Sequence, residues 1–368
     1  MAESLRNNAL KTFNQENRVP EGWFWALPSA HLKKKKAACV TVAGKDLVIF
    51  RGENGQAIAL DAYCPHRGSH LGLGTVEGNA IRCGYHRWKY DATGRCVDIP
   101  CRSKIPGKIG VNQWHTKERY SMVWVWTGAG EPHPIFEIPE LEGCETDSAI
   151  ANGYVQNCHP NVVMSDAIDV EHFRSVHRIP GEILNLEIQE VNPHTMHFHN
   201  TARAPQTHWF GRLLRLFYKG PITYDLTYWY GSTGCITVGP DFLHFHVIFA
   251  NRLGTQGKSE GQVILVTKKR SGVFGRLGNS LFLYASKLVS GYFGRGDTPQ
   301  FNRIKFDFKN PIKEDRTIVS FIKHVEALPI APWGFSRQEE ASPVMVQTLS
   351  QEEEPKLHQI ENSRSAVA

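Results

Sequence analysis

No long hydrophobic run free of charge occurs in this chain of 368 residues. Its most apolar stretch, Phe274 to Phe293, is interrupted by Arg276, Lys287 and several Gly and Ser. Those breaks exclude a membrane span; an amphipathic helix over an internal pocket is the expected role, ahead of a membrane-surface helix, for which a strongly basic face is missing. Charge of one sign is also in short supply: 42 Lys and Arg against 36 Asp and Glu leave +6. The densest basic run, Lys33–Lys36, reads as a solvated loop before a strand. No nucleic-acid partner is expected from so small an excess, which suffices only to steer an acidic redox partner. No glycine fingerprint for a flavin or nicotinamide dinucleotide is present, so electrons used here must come from a separate protein. Cysteine is sparse, at 8 residues. With no secretory leader, those thiols are expected in a reducing, cytoplasmic compartment.

The few cysteines nevertheless form a pattern. Cys64-Pro-His66 and Cys83-Gly-Tyr-His86 read as Cys-x-His and Cys-x-x-His, with sixteen residues between His66 and Cys83. Zinc takes the same ligand types, but a zinc finger pairs Cys with Cys and His with His, whereas here each half carries one of each. The set fits a Rieske [2Fe-2S] cluster. Two thiolates hold one iron and two neutral imidazoles the other, which leaves less negative charge on the cluster and raises its potential. Pro65, Gly68 and Gly84 suit tight loops whose N–H groups can point at cluster sulfurs. Upstream, Val40, Val42, Leu47, Val48, Ile49, Ile58 and Leu60 read as strands, so the two loops project from a small β-domain. Cys96 and Cys101 open like a plant-type ferredoxin, but Lys104 stands where the next cysteine is needed. They are therefore expected, with Cys39, Cys144, Cys158 and Cys235, to be free thiols.

A second constellation is Asp169-x-x-His172-x-x-x-x-His177. On a helix Ser165, Asp169 and His172 share one face, and His177 falls off it. His177 reaches the same metal as His172 only if the helix ends or bends between them. Two histidines and one carboxylate are the donor set of non-haem iron with open positions for O2, and a cluster in the same chain supplies the electrons such iron needs. The carboxylate is expected from the segment Pro311 to Glu326. On a helix Asp315 shares its stripe with Ile318, Val319 and Ile322. Glu314, with Thr317, Ile318 and Phe321, competes, and periodicity favours Asp315. The alternative for either is an acidic residue that complements the helix dipole in the first turn.

With these motifs on it, the chain resembles the catalytic subunit of the Rieske non-haem iron oxygenases from about Gly22 to about Val325. The resemblance implies Cys64, His66, Cys83 and His86 as cluster ligands, and His172, His177 and Asp315 as ligands of a mononuclear Fe(II). Asp169 is then the bridging aspartate, which links a cluster histidine of one subunit to an iron histidine of the next. That implies a ring of subunits, expected as a homotrimer. O2, a small organic substrate and a separate reductase or ferredoxin follow as partners. Three positions depart from the family pattern: Gly84 replaces a common Pro, Arg87 a common Gly and Ser165 a common Asn. None of the three supplies a ligand. Over Trp209 to Val238 the chain is loosely similar to a natural-product oxygenase of that family.

The expected layout is a flexible arm over residues 1–19, an all-β Rieske domain over 20–127, a catalytic domain over 135–335 and a disordered tail over 336–368. Gly128 to Pro134 is the linker. Strand-like segments at 194–204, 223–230, 235–238, 242–251 and 262–268 predict an antiparallel sheet with helices against it, the helix-grip form that the resemblance implies, and hence the α+β class. Phe210, Phe217, Tyr224, Tyr228, Trp229, Phe242 and Phe245 are the candidates to line an apolar pocket. The expected function is oxidation of a small, largely apolar molecule by hydroxylation, N-oxygenation or dealkylation. The other function class is a Rieske electron-transfer or redox-sensing protein, which would have no use for a second iron site.

Overall fold

The computed structural model describes residues 10–177, 186–203, 216 and 218–332. Short apolar runs between Gly- and Asn-containing turns build the first domain. Its strands are β1 (Trp23–Pro28), β2 (Ala37–Val42), β3 (Lys45–Arg51), β4 (Ala57–Asp61), β5 (Thr75–Glu77), β6 (Ala80–Arg82), β7 (Lys89–Tyr90), β8 (Cys96–Asp98), β9 (Gln113–Trp114), β10 (Thr116–Arg119) and β11 (Met122–Trp126). One sheet runs β2-β3-β4-β9, a second β5-β6-β7-β8 and a third β1-β11-β10. In the third, Trp23 lies opposite Trp126, so the two ends of the domain are paired and it closes on itself.

The second domain has strands β12 (Thr146–Gln156), β13 (Glu187–Asn192), β14 (Thr195–His199), β15 (Thr201–Arg203), β16 (Pro221–Trp229), β17 (Thr233–Pro240), β18 (Phe245–Leu253) and β19 (Ser259–Lys268). Among the described residues they form one antiparallel sheet in the order β12-β19-β18-β17-β16-β14-β13, with β15 beside β16. Helices α1 (Pro160–Asp166), α2 (Val170–Ser175), α3 (Gly272–Phe301) and α4 (Arg316–Ala327) complete the α+β arrangement. The two-residue period of β16 explains how the sheet serves two cores. Leu226 and Tyr228 pack with Ile318, Phe321 and Ile322 of α4, while Trp229 joins the core shared with the first domain. β12 and β13 were not among the expected strands. Their polar residues, including Asn152 and Gly153, hide the alternation, and each occupies an end of the sheet, where one flank has no partner strand to satisfy.

The joint between the domains is aromatic. Trp23, Trp124, Trp126 and Phe136 pack with Trp229, Ile248 and Ile264, all buried. Arg252 of β18 crosses the same joint. Its Nη1 donates to the carbonyls of Trp25 (3.2 Å) and Ala26 (2.8 Å), its guanidinium lies 3.8 Å over the Trp25 ring, and Glu260 pairs with it at 2.8 Å.

The expected flexible arm is corrected where it is described. Phe13 is buried against Phe306 and Phe321. Glu326 of α4 accepts from the backbone N–H groups of Lys11, Thr12 and Phe13 at 2.7–2.9 Å. A single aromatic anchor and one carboxylate hold a segment whose composition is otherwise polar. The expected tail over 336–368 lies outside the described residues. Among the described residues no helix is long and apolar enough to cross a membrane.

Candidate metal centres and substrate cavity

Two loops, one between β4 and β5 and one between β6 and β7, carry Cys64, His66, Cys83 and His86. Local bonds shape both. Cys64 N donates to Ser69 O and Gly68 N to Cys64 O in the first, and Cys83 N donates to Trp88 O in the second. Gly68 has φ +72°, which a side chain would disfavour. Arg87, where glycine was the expected residue, also has positive φ, 63°. Its carbonyl accepts from Arg82 Nη1 at 2.6 Å, and its guanidinium pairs with Glu77, so the neighbourhood holds a conformation that glycine would adopt without strain.

Cys64 and Cys83 are buried, while His66 is exposed and His86 partly so. The two imidazole rings lie with centroids 4.5 Å apart, and His66 stacks on Trp88 at 4.3 Å. Tyr90 OH lies 3.0 Å from Cys64 Sγ. Burial pushes the Cys64 thiol up and the Tyr90 hydroxyl up, the hydrogen bond between them opposing the first and reinforcing the second. Two buried thiols and two imidazoles nearer the surface are the donor set that would hold a [2Fe-2S] cluster, with a thiolate pair and an imidazole pair. The tyrosine O–H is placed to donate to a ligand sulfur.

The second constellation forms on three elements. Helix α2 ends at Ser175, so His177 turns back beside His172, which is the break that the spacing requires. The two Nε2 atoms stand 3.2 Å apart. Asp297 Oδ1, from α3, lies 3.2 Å from the first and 3.1 Å from the second. Donors bound cis at about 2.1 Å from one ion are roughly 3 Å apart, so the triangle fits one face of a six-coordinate metal. Asp297 Oδ1 is buried and has no hydrogen-bond donor of good geometry. A cation is the natural partner for lone pairs that converge in this way. Burial pushes His177 down, and it opposes protonation of His172, whose neighbours Asp297, Asp166 and Asp169 raise it.

Asp315, the carboxylate expected from periodicity, is elsewhere. Helix α4 begins at Arg316, so Asp315 precedes the apolar stripe; it closes a 3-10 turn over Lys313–Asp315, its Oδ2 reaching back to accept from Ile312 N at 2.8 Å. Glu314 is exposed. Asp297 is marked in the sequence only as the sole acidic residue between Glu260 and Asp307, which does not by itself distinguish a ligand. Asp169 caps α2, its Oδ1 accepting from Glu171 N and His172 N at 3.0 Å. Asp166 was not anticipated. It faces His172 Nδ1 at 3.8 Å, and burial raises its carboxyl to about 7. Ser165 donates to Val162 O within its own helix, at 2.7 Å, and so serves α1 instead of the metal site.

A cavity of about 490 Å³ opens beside the triangle. Its walls are apolar side chains of the sheet and helices, among them Phe173, Leu226, Val247 and Phe249. Of the candidate aromatics, Tyr224, Tyr228 and Phe245 line it. Tyr224 and Tyr228 donate to the carbonyls of Ala167 and Met164, which ties the cavity wall to the segment carrying His172. Trp229 belongs to the domain joint, Phe242 is exposed, and Phe210 and Phe217 lie outside the described residues.

Residues 22–114 match the Rieske [2Fe-2S] domain family. The chain is 33% identical over 164 residues to a cholesterol 7-desaturase of Drosophila melanogaster, covering 43% of this chain and 38% of that protein. It is 30% identical over 200 residues to the aminopyrrolnitrin oxygenase PrnD of Pseudomonas fluorescens, covering 50% and 53%. The chain thus spans about half, or less, of the curated relatives it matches. The structure is similar to that of a Pseudomonas putida NdmA variant with theobromine, with a TM-score of 0.61, 16% identity, and coverage of 83% of this chain and 94% of that one. The chain thus carries a Rieske [2Fe-2S] domain and shares the fold that joins such a domain to a helix-covered antiparallel sheet in NdmA and in dicamba monooxygenase.

Proposed function

We propose that the chain is the catalytic subunit of a Rieske oxygenase that oxidises a small, largely apolar molecule. The observation that carries this reading is the triangle of His172, His177 and Asp297 at the wall of an apolar cavity, in a chain that also carries a Rieske domain. An electron carrier needs neither. In this reading Cys64, His66, Cys83 and His86 hold the cluster, and His172, His177 and Asp297 hold a mononuclear iron. When bound, the two groups supply single electrons and O2 activation, respectively. The protein's own side chains do the rest. Phe173, Tyr224 and Tyr228 keep water from the reacting end and hold the substrate's oxidised position against the triangle. Relatives named for a sterol and for aminopyrrolnitrin agree with an apolar, ring-containing substrate.

Electrons come from a separate reductase or ferredoxin, because the chain has no nucleotide or flavin fingerprint. Exposed His66, with Trp88 stacked on it, is the surface such a donor would approach. Asp169 spends one carboxylate oxygen on its own helix, and in the assembled protein the other would bridge to a cluster histidine of a second subunit within a homotrimer. Eight cysteines without a disulfide among the described residues agree with a cytoplasmic setting. The test is turnover under 18O2 with a reductase, ferredoxin and a panel of sterols and chlorinated aryl amines. Label in a product supports the reading. A protein that binds three irons, exchanges electrons and consumes no O2 with any of them would favour the carrier.

A further inference from the structure

Helix α3 has two faces that both carry apolar side chains. The inner face meets the sheet. Leu283 is buried with Val247, Val263 and Leu265, Phe282 stacks on Phe245 at 4.6 Å, and Asn279 donates to Asp147 and to the Lys268 carbonyl. On the outer face Phe274, Leu277, Leu281, Tyr284 and Leu288 recur at intervals of 3, 4, 3 and 4 residues, one continuous stripe on a helix. Phe274 is 90% exposed and the other four are 56–64% exposed. Scattered exposed apolar residues need no explanation, but five in register along about four turns do.

Charge decides what covers them. From Lys268 to Gly296 the chain has six basic residues, Lys268, Lys269, Arg270, Arg276, Lys287 and Arg295, and no acidic one. Lys269 pairs with Glu145, and Arg270, Arg276 and Lys287 are exposed on or just before the helix. A second copy of the same helix would set like charges against each other without the opposite-sign flanking pairs that such a seam normally uses. A surface that offers hydrocarbon below and anions above meets both features at once.

We propose that α3 is a membrane-surface docking helix: its outer stripe inserts at the headgroup boundary of an anionic lipid surface, and the flanking Arg and Lys contact the headgroups. The helix is too polar to span a bilayer, which fits docking in the plane. Its inner side supplies Ser286, Asp297, Thr298 and Phe301 to the cavity, so docking sets the cavity wall against the hydrocarbon phase in which an apolar molecule partitions.

The experiment is flotation of the full chain, loaded with its metals, with vesicles of phosphatidylcholine alone and of phosphatidylcholine with phosphatidylglycerol. The expected result is retention on the anionic vesicles, weakened by salt, and little on the zwitterionic ones. Leu277→Glu with Leu281→Glu should abolish retention, and Arg270→Glu with Arg276→Glu should weaken it about tenfold or more. All four positions are exposed, so circular dichroism and visible absorption should not change. Wild-type protein that stays off anionic vesicles overturns the proposal. So does retention that the stripe variant leaves intact, or a stripe variant whose only effect is a smaller mass by light scattering, which would make a second copy the occupant. None of these readouts uses turnover, so the oxygenase reading stands or falls separately.

Discussion

Asp297 and Asp315 divide two jobs that a sequence stripe cannot separate. Asp297→Ala should remove the mononuclear iron, taking bound iron from three to two per chain while the Rieske absorption persists. Asp315→Ala should keep all three and lower stability by about 1 kcal/mol, the usual effect of losing one hydrogen bond, here from Ile312 N within the turn before α4. Iron analysis beside thermal melts distinguishes them, and the opposite pattern would return the ligand role to Asp315. Tyr90 offers a second test at this scale. Its hydroxyl meets Cys64 Sγ at 3.0 Å, and a donor to a cluster sulfur favours the reduced, more negative state. Tyr90→Phe should lower the reduction potential by roughly 50 mV, the equivalent of about 1 kcal/mol for one electron. A protein-film potential that does not move would show that the hydroxyl points away from the sulfur in the loaded protein.

A helix end and a buried strand residue carry the pH dependence. His159 is the N-cap of α1, its Nδ1 accepting from Asn161 N at 3.3 Å, a bond that only the neutral imidazole can make. Burial lowers its pKa from 6.5 to about 4. Between those values the unfolded chain takes up a proton that the folded chain refuses, so stability falls as pH falls through that window, by up to about 3 kcal/mol. His246, pushed down to about 4 by burial, adds a loss of the same sign. His159→Asn keeps a capping acceptor and removes the titration. Its urea midpoint should therefore decline less between pH 6.5 and pH 4 than the wild type's, though not stay flat. An unchanged slope would mean that His159 is solvated in the folded state.

The aromatic joint makes one folding unit of two domains. Trp126 is fully buried between Trp23 and Tyr230, and Arg252 is desolvated across the same surface. Trp126→Ala should cost about 3–5 kcal/mol by removing a large buried ring. Its effect should reach both domains, so calorimetry of the wild type shows one transition and the variant's melting moves as a whole. Two separated transitions in the wild type would show that the joint is weaker than its burial implies. Such a joint keeps the two metal-binding domains at a fixed orientation within the chain, which any electron path between centres, within or between subunits, requires.

What the sequence determined by itself is what lies close along the chain. The cluster ligands sit in two short loops whose Gly, Pro and hydrogen-bonding patterns are local, and Asp169, His172 and His177 need only a helix that stops at Ser175. The antiparallel sheet was legible where Val, Ile and aromatic residues alternate, and illegible at β12 and β13, whose polar residues pair at the ends of the sheet. Only the tertiary structure decided the rest. In the proposed iron site the third carboxylate comes from a residue 120 positions beyond His177, on a helix whose apolar pattern says nothing about which turn faces the histidines. A 3-10 turn over Lys313–Asp315 precedes helix α4, and in it Asp315 bonds back to Ile312 N instead of joining the inward stripe. Periodicity assigns a residue to a face. Which faces meet, and so which carboxylate completes a site, depends on packing among segments far apart in the chain.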